Sequence, residues 1–323
     1  MYLELCLLLV GFGLLIKGAY FLVQGASSIA KTFNISTVAI GLTVVAFGTS
    51  TPELIVSLYA SFKGRDELAF ANIIGSNIFN ILFVLGLAGL IHPLIIQRNT
   101  IRFEIPLSLM AATILYILVN DQILWGRADL LGRWDALILL ATFSLFMMYL
   151  YRALKSTADY DESHIKVQSP AVATGNILLG LALLTGGSII VVDNAIILSG
   201  HFALPQRFVG VTFLAVGTSL PELTTAIMAA YRKNTDMAFG NVIGSNIFNI
   251  FFTLGATGLV HPMKYNEILN SDIEILGLAT LLLVVFMFVI QRRKLHRWEA
   301  FILFGGYFAY IIYNFRESFN ALV

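Results

Sequence analysis

The sequence has one cysteine, Cys6, in 323 residues, so no intrachain disulfide can staple its fold. Charged residues are scarce at 12%, and 20 Lys and Arg against 19 Asp and Glu leave a formal net charge of +1, which excludes a strongly basic nucleic-acid binder. No HExxH, GxGD or GxxxxGK[ST] pattern occurs, so neither an intramembrane protease nor an ATP-driven pump is supported and the chain reads as a non-enzyme. What the sequence has in abundance is apolar residues. They make up 58% of it, with a mean hydropathy of +0.84, and most fall in blocks of about 20, the length needed to cross a bilayer. Lipid offers backbone groups no partners, so each block must be helical and the fold class is all-α integral membrane. The N-terminal apolar segment outruns a signal-peptide core and has no clear small-residue cleavage site, so it reads as a retained first span.

Ten apolar segments are expected, at about 5–30, 35–61, 68–90, 103–119, 131–150, 172–199, 208–231, 237–260, 272–290 and 298–314. Between the fifth and sixth lies one long polar stretch, YRALKSTADYDESHIKVQSP, at 151–170. It divides the chain into a first five-helix unit at 1–150, a linker at 151–170 and a second five-helix unit at 171–323. Shifting residues 41–93 by 169 positions matches 210–262 without gaps at 28 of 53 positions, an internal duplication. Five is odd, so the second copy enters the membrane from the opposite side and the copies are inverted repeats. With both termini outside, the inner loops carry 12 Lys and Arg and the outer segments 7. Positive residues favour the cytoplasm, so the linker is expected inside.

Two motifs recur within the duplication. VVAFGTSTPEL at 44–54 and FLAVGTSLPEL at 213–223 each place a glutamate, Glu53 or Glu222, inside a span. An unpaired acid at a helix centre costs at least roughly 2.5–3.5 kcal/mol, and the one intramembrane Lys, Lys17, has no counterpart in the second copy. A bound cation is the natural partner. Pro52 and Pro221 cannot donate to the carbonyls four residues back, which frees the oxygens of Gly48 and Gly217. The flanking Thr49, Ser50, Thr218 and Ser219 add hydroxyls, completing the oxygen set that hard cations prefer. The second motif, ANIIGSNIFNI at 71–81 and GNVIGSNIFNI at 240–250, sets Ser76 four residues before Asn80 and Ser245 four before Asn249. Each pair shares a helical face and can offer a hydroxyl and an amide oxygen to one ion. Gly75 and Gly244 let another backbone approach. Interhelical hydrogen bonding is the competing role for Asn72, Asn77, Asn241 and Asn246.

GTSTPEL with GSNIFN, repeated as GTSLPEL with GSNIFN across inverted halves of ten spans, resembles the sodium/calcium exchanger family among the calcium/cation antiporters, and most closely its short prokaryotic members. The resemblance implies that the four motif-bearing helices form the centre and that the first and sixth spans form a sliding gate. It implies metal ligands at Glu53, Asn80, Glu222 and Asn249. Supporting oxygens are implied at Thr49, Ser50, Ser76, Thr218, Ser219 and Ser245, with backbone carbonyls at Ala46 and Ala215. Many family members have an aspartate where this chain has Asn249, so two central carboxylates stand here in place of three.

The expected function is secondary active exchange of Ca²⁺ for Na⁺ at a midplane site by alternating access, with Ca²⁺/H⁺ antiport as the alternative and a cation channel behind it. The partners are the transported ions, Ca²⁺ and Na⁺ or H⁺, and membrane lipid; neither nucleic acid nor an oligomer is required, and no resident cofactor is expected. The implied location is a prokaryotic plasma (inner) membrane. Asp193 in the sixth span reads as a gate hydrogen-bonding residue. His92-Pro93 and His261-Pro262 read as helix stops. Asn34-Ile35-Ser36 matches a glycosylation acceptor but falls on the inner side and is discounted.

Overall fold

The computed structural model describes residues 2–32, 46–96, 100–126, 128–155, 168–231, 233, 235–290 and 293–320. The Asn34-Ile35-Ser36 acceptor, the start of the second span and residues 156–167 of the linker lie outside the described residues. The helices are α1 (Tyr2–Thr32), α2 (Ala46–Thr49), α3 (Thr51–Phe62), α4 (Asp66–Ile91), α5 (Thr100–Val119), α6 (Asp121–Trp125) and α7 (Arg133–Lys155). They continue with α8 (Pro170–His201), α9 (Gln206–Thr218), α10 (Leu220–Tyr231), α11 (235–260), α12 (Asn270–Val285) and α13 (Arg297–Asn320). Among the described residues seven helices are long and apolar enough to cross a membrane, or eight if the bent pair α9 and α10 is one span. Helix α13 is long enough, but its tyrosines, Asn314 and Glu299 dilute its apolar character.

Helices α4 and α11 carry the GSNIFN motifs and are the most enclosed, with 83% and 78% of their most apolar windows buried against 22% for α7. A helix apolar all round belongs at the centre of a bundle, and these two occupy it. Helices α1 and α8 pack mainly on each other, and their small residues decide how closely. A Cβ on Gly18 would stand 2.9 Å from the Gly180 carbonyl oxygen and from the Leu184 nitrogen, so only glycine admits this crossing.

The described residues are mostly helical, and the loops flanking the spans meet as two short antiparallel ladders. Leu94–Ile95 (β1) pairs with Lys294–Leu295 (β4), and Leu130–Leu131 (β2) pairs with Met263–Lys264 (β3). Outside a hydrocarbon layer such edges can be paired or hydrated, which is why β structure is confined to the loops. Each ladder marks one end of the bundle. At the β1–β4 end Thr235 donates to the Ile95 carbonyl at 2.8 Å, and at the β2–β3 end Asp66 accepts from the Lys264 nitrogen at 3.0 Å. Helices α4 and α11 stop at His92 and His261, whose extended backbone precedes Pro93 and Pro262, as expected of a residue before proline.

Arg207, counted from sequence among loop cations, is instead buried at the start of α9. Its Nε lies 2.6 Å from Asp272 Oδ2, Nη1 2.5 Å from Glu317 Oε2 and Nη2 2.6 Å from Ser271 Oγ, while the Tyr310 hydroxyl donates to Asp272 Oδ1 at 3.0 Å. These charge-assisted bonds to buried Asp272 tie α9, α12 and α13 together at the β2–β3 end.

Candidate cation site

The helix carrying each GTSxPE motif breaks two residues before its proline. Ser50, between α2 and α3, has φ −86° and ψ 3°, and Ser219, between α9 and α10, has φ −86° and ψ 9°. The break bends α9 from α10 by 48°, the kink a proline forces by withdrawing a donor and crowding the preceding turn. It also aims Glu53 and Glu222, in the first turns of α3 and α10, at the centre of the bundle. The second motif has its own irregularity. Each GSNIFN helix widens into a π turn, Phe79–Val84 in α4 and Asn249–Leu254 in α11, so Asn80 and Asn249 stand where the helical repeat is loosened. A strict 3.6-residue period carries no trace of this.

All twelve expected site residues are buried. The structure joins them across the duplication. Ser50 Oγ donates to Glu222 Oε1 at 3.1 Å and Ser219 Oγ donates to Glu53 Oε1 at 3.0 Å, two contacts related by the same 169-residue shift. Ser245 adds a second donor to Glu222 Oε1 at 3.3 Å. Ser76 does not repeat this: its hydroxyl reaches the Ala215 carbonyl and Thr218 Oγ1, both at 3.4 Å. Thr49 donates to the Ala46 carbonyl at 3.2 Å, and Thr218 donates to the Leu214 carbonyl at 3.0 Å and to Asn72 Oδ1 at 3.2 Å. The Ala46 and Ala215 carbonyls also accept from the Ser50 and Ser219 nitrogens, so each is already engaged by the backbone and by neighbouring hydroxyls.

Among the buried oxygens without a hydrogen-bond partner are four from the expected ligands: Glu53 Oε2, Glu222 Oε2, Asn80 Oδ1 and Asn249 Oδ1. They come from both motif pairs of both copies. Buried acceptors without donors are costly and rare, and two carboxylate and two amide oxygens form an acceptor-only set that suits a hard cation. Among the described residues no three His, Cys, Asp or Glu side chains gather to hold a metal, so the neutral oxygens are integral to any such site. Lys17 is exposed and offers no internal counter-charge.

Other residues fall outside this set. Asn72 bridges helices through Ser57 and Thr218, whereas both polar atoms of its counterpart Asn241 are unpartnered. Asp193 on α8 accepts from the Tyr59 hydroxyl at 3.3 Å and lies 3.6 Å from Lys63 Nζ, linking α8 to the end of α3. A cavity of about 420 Å³ at the β1–β4 end reaches Ala46, Phe47, Gly240, Gly244 and Phe248.

Unpartnered oxygens at helix breaks, enclosed by membrane-length helices, define an ion-handling membrane protein of the transporter class. The chain belongs to the sodium/calcium exchanger family, a family of transporters and not of enzymes: the family described as sodium/calcium exchanger protein matches residues 3–152 and 172–316. It is 36% identical over 311 residues to the putative antiporter CaxA of Alkalimonas amylolytica, covering 94% of this chain and 95% of that one. It is 28% identical over 342 residues to the sodium/calcium exchanger MaX1 of Methanosarcina acetivorans, covering 96% and 97%. Its fold is similar to that of the sodium-calcium exchanger NCX_Mj soaked with 2.5 mM Na⁺ and 10 mM Sr²⁺, with a TM-score of 0.66 and 31% identity over 96% of this chain and 98% of that chain. The protein is therefore an integral membrane protein with prokaryotic relatives and a cation/Ca²⁺ antiporter by family.

Proposed function

We propose that the protein exchanges Ca²⁺ for Na⁺ by alternating access, with Glu53, Glu222, Asn80 and Asn249 as the central ligands. Thr49, Ser50, Ser76, Thr218, Ser219 and Ser245 and the Ala46 and Ala215 carbonyls support them. The observation that carries this reading is the set of four buried, unpartnered oxygens, two from each copy. Two carboxylates match the charge of one Ca²⁺. Amide oxygens are not protonated near neutral pH, so in a proton-coupled cycle Asn80 and Asn249 would serve Ca²⁺ alone, whereas Na⁺ would use them in both halves of the cycle. The second reading, Ca²⁺/H⁺ antiport, is favoured by the charge count, because two protons neutralise Glu53 and Glu222 as well as one Ca²⁺ does.

The frame we propose has ten spans in two inverted five-helix units, 1–150 and 171–323, around a cytoplasmic linker at 151–170. The ladders support this threading. With ten spans, β1 and β4 fall in loops on one face and β2 and β3 in loops on the other, as their pairing requires. Loop charges put the β1–β4 face in the cytoplasm and both termini outside, in a prokaryotic inner membrane. The cavity at that face, against Ala46, is the proposed cytoplasmic access route.

Radioactive calcium uptake into proteoliposomes tests the function. Vesicles loaded with Na⁺, with a protonophore present and the potential clamped, are expected to accumulate Ca²⁺ when diluted into Na⁺-free buffer. Uptake that ignores Na⁺ and follows an imposed pH gradient would establish the proton reading. Non-saturating flux without a counter-ion would establish a channel.

A further inference from the structure

At the centre of the bundle four asparagines form one closed set of hydrogen bonds. Asn77 Nδ2 donates to the Asn246 backbone carbonyl and Asn246 Nδ2 donates to the Asn77 backbone carbonyl, both at 3.1 Å. Asn80 Nδ2 donates to Asn246 Oδ1 and Asn249 Nδ2 donates to Asn77 Oδ1, both at 3.0 Å. All four side chains are buried.

The backbone carbonyls make the orientations unambiguous. A carbonyl only accepts, so the Asn246 atom facing the Asn77 carbonyl is its nitrogen, and its oxygen must point the other way. That oxygen can face only a donor, which fixes the Asn80 nitrogen against it and leaves Asn80 Oδ1 as the amide's unpartnered atom. The same relation, started from the Asn246 carbonyl, runs through Asn77 and leaves Asn249 Oδ1 unpartnered. Rotating either ligand amide by half a turn would set oxygen against oxygen on one side and present an NH₂ group to a cation on the other.

We propose that Asn77 and Asn246 are positioning residues for cation binding: each holds the opposite copy's ligand amide, Asn249 or Asn80, with its oxygen toward the ion. Neither touches the ion. The role rests on the cation-site reading given above, and it explains why the GSNIFN motif has two asparagines three apart when only the second has a free oxygen. It also assigns Asn77 a cost in an Asn249→Asp variant, because Asn77 Oδ1 would then face a carboxylate.

The test is a double-mutant cycle read by equilibrium Ca²⁺ binding to purified protein, with half-saturating Ca²⁺ for uptake as a second readout. Asn77→Ala is expected to weaken Ca²⁺ binding about 10–100-fold, the usual loss when an outer partner of a metal ligand is removed. In an Asn249→Asp background the same substitution is expected to leave binding unchanged or tighten it, since a carboxylate offers an oxygen in either orientation and loses an opposing acceptor. Equal losses in both backgrounds would mean that Asn77 acts only through packing and would overturn the proposal. Asn246→Ala with Asn80→Asp repeats the test in the other copy. If the alanine variants do not fold, Asn77→Asp serves, since it keeps an oxygen facing Asn249 while abandoning the Asn246 carbonyl. No weakening is expected, and a tenfold loss overturns the role. Glu53→Gln measured alongside separates the two readings. Retained Ca²⁺ binding in that variant removes the site and the positioning role with it, while lost binding there with additive amide effects removes the positioning role alone.

Discussion

Ser50 Oγ stands 3.1 Å from Glu222 Oε1, so the serine at one helix break holds the carboxylate of the other. Ser219 returns the contact to Glu53 at 3.0 Å. Each glutamate thereby keeps one oxygen engaged and one, Oε2, without a partner.

Glu53→Gln or Glu222→Gln is expected to abolish Ca²⁺ uptake, by at least about 100-fold, while leaving folded protein in the membrane. One remaining carboxylate cannot balance a divalent ion taken out of water, whereas a neutral amide fits the same volume. Uptake near the wild-type rate in both variants, with monodisperse protein by size exclusion, would end the case for this site.

Arg207→Ala is expected to cost about 3–5 kcal/mol of stability, because it leaves Asp272 buried without its partner. Thermal unfolding in detergent should show the loss. Replacing Asp272 by Asn as well should recover part of it, and a melting temperature unchanged in Arg207→Ala would show that the pair contributes little.

Gly18→Leu is expected to force α1 and α8 apart, since its Cβ alone would sit 2.9 Å from backbone atoms of Gly180 and Leu184. Overpacking of this kind costs about 1–3 kcal/mol or more. A pair of cysteines across the crossing that still forms a disulfide in Gly18→Leu at the wild-type rate would contradict it.

Cysteines at Lys264 and Arg293, introduced after Cys6→Ser, should divide by sidedness. Both positions are exposed, one on each ladder face. In intact cells an impermeant thiol reagent should label Lys264→Cys only, and a permeant one should label both. The opposite pattern would invert the proposed orientation.

Glu53, Glu222, Asn80 and Asn249 stand out in the sequence as candidates because each stands in a motif written twice, inside a run too apolar to carry it idly. Their contacts were not legible. Spacing along a helix says which residues share a face, but Ser50 with Glu222 and Asn249 with Asn77 meet across 172 positions, and nothing in either motif orders that approach. Ser76 shows the limit of helical spacing, since it shares a motif with Asn80 yet turns toward Ala215 and Thr218. The burial of Arg207 beside Asp272 is not legible for a different reason. Their counterparts 169 residues earlier are Val38 and Phe103, so the duplication that exposed the glutamates gave no signal here. The π turns at Asn80 and Asn249 escaped because a local widening leaves the apolar pattern intact.

The contacts at the centre have the form of an isologous interface folded into one polypeptide. Asn77 does to Asn246 what Asn246 does to Asn77, and Ser50 and Ser219 trade carboxylates in the same way. In a two-fold dimer such a surface complements itself, residue i meeting residue j and j meeting i. No bond in this set depends on the covalent connector, because every one of them crosses from one unit to the other through space. On the proposed inverted-repeat frame, two copies of one unit, lying opposite ways up in the bilayer, would find in each other the partner that this protein carries as its own second half.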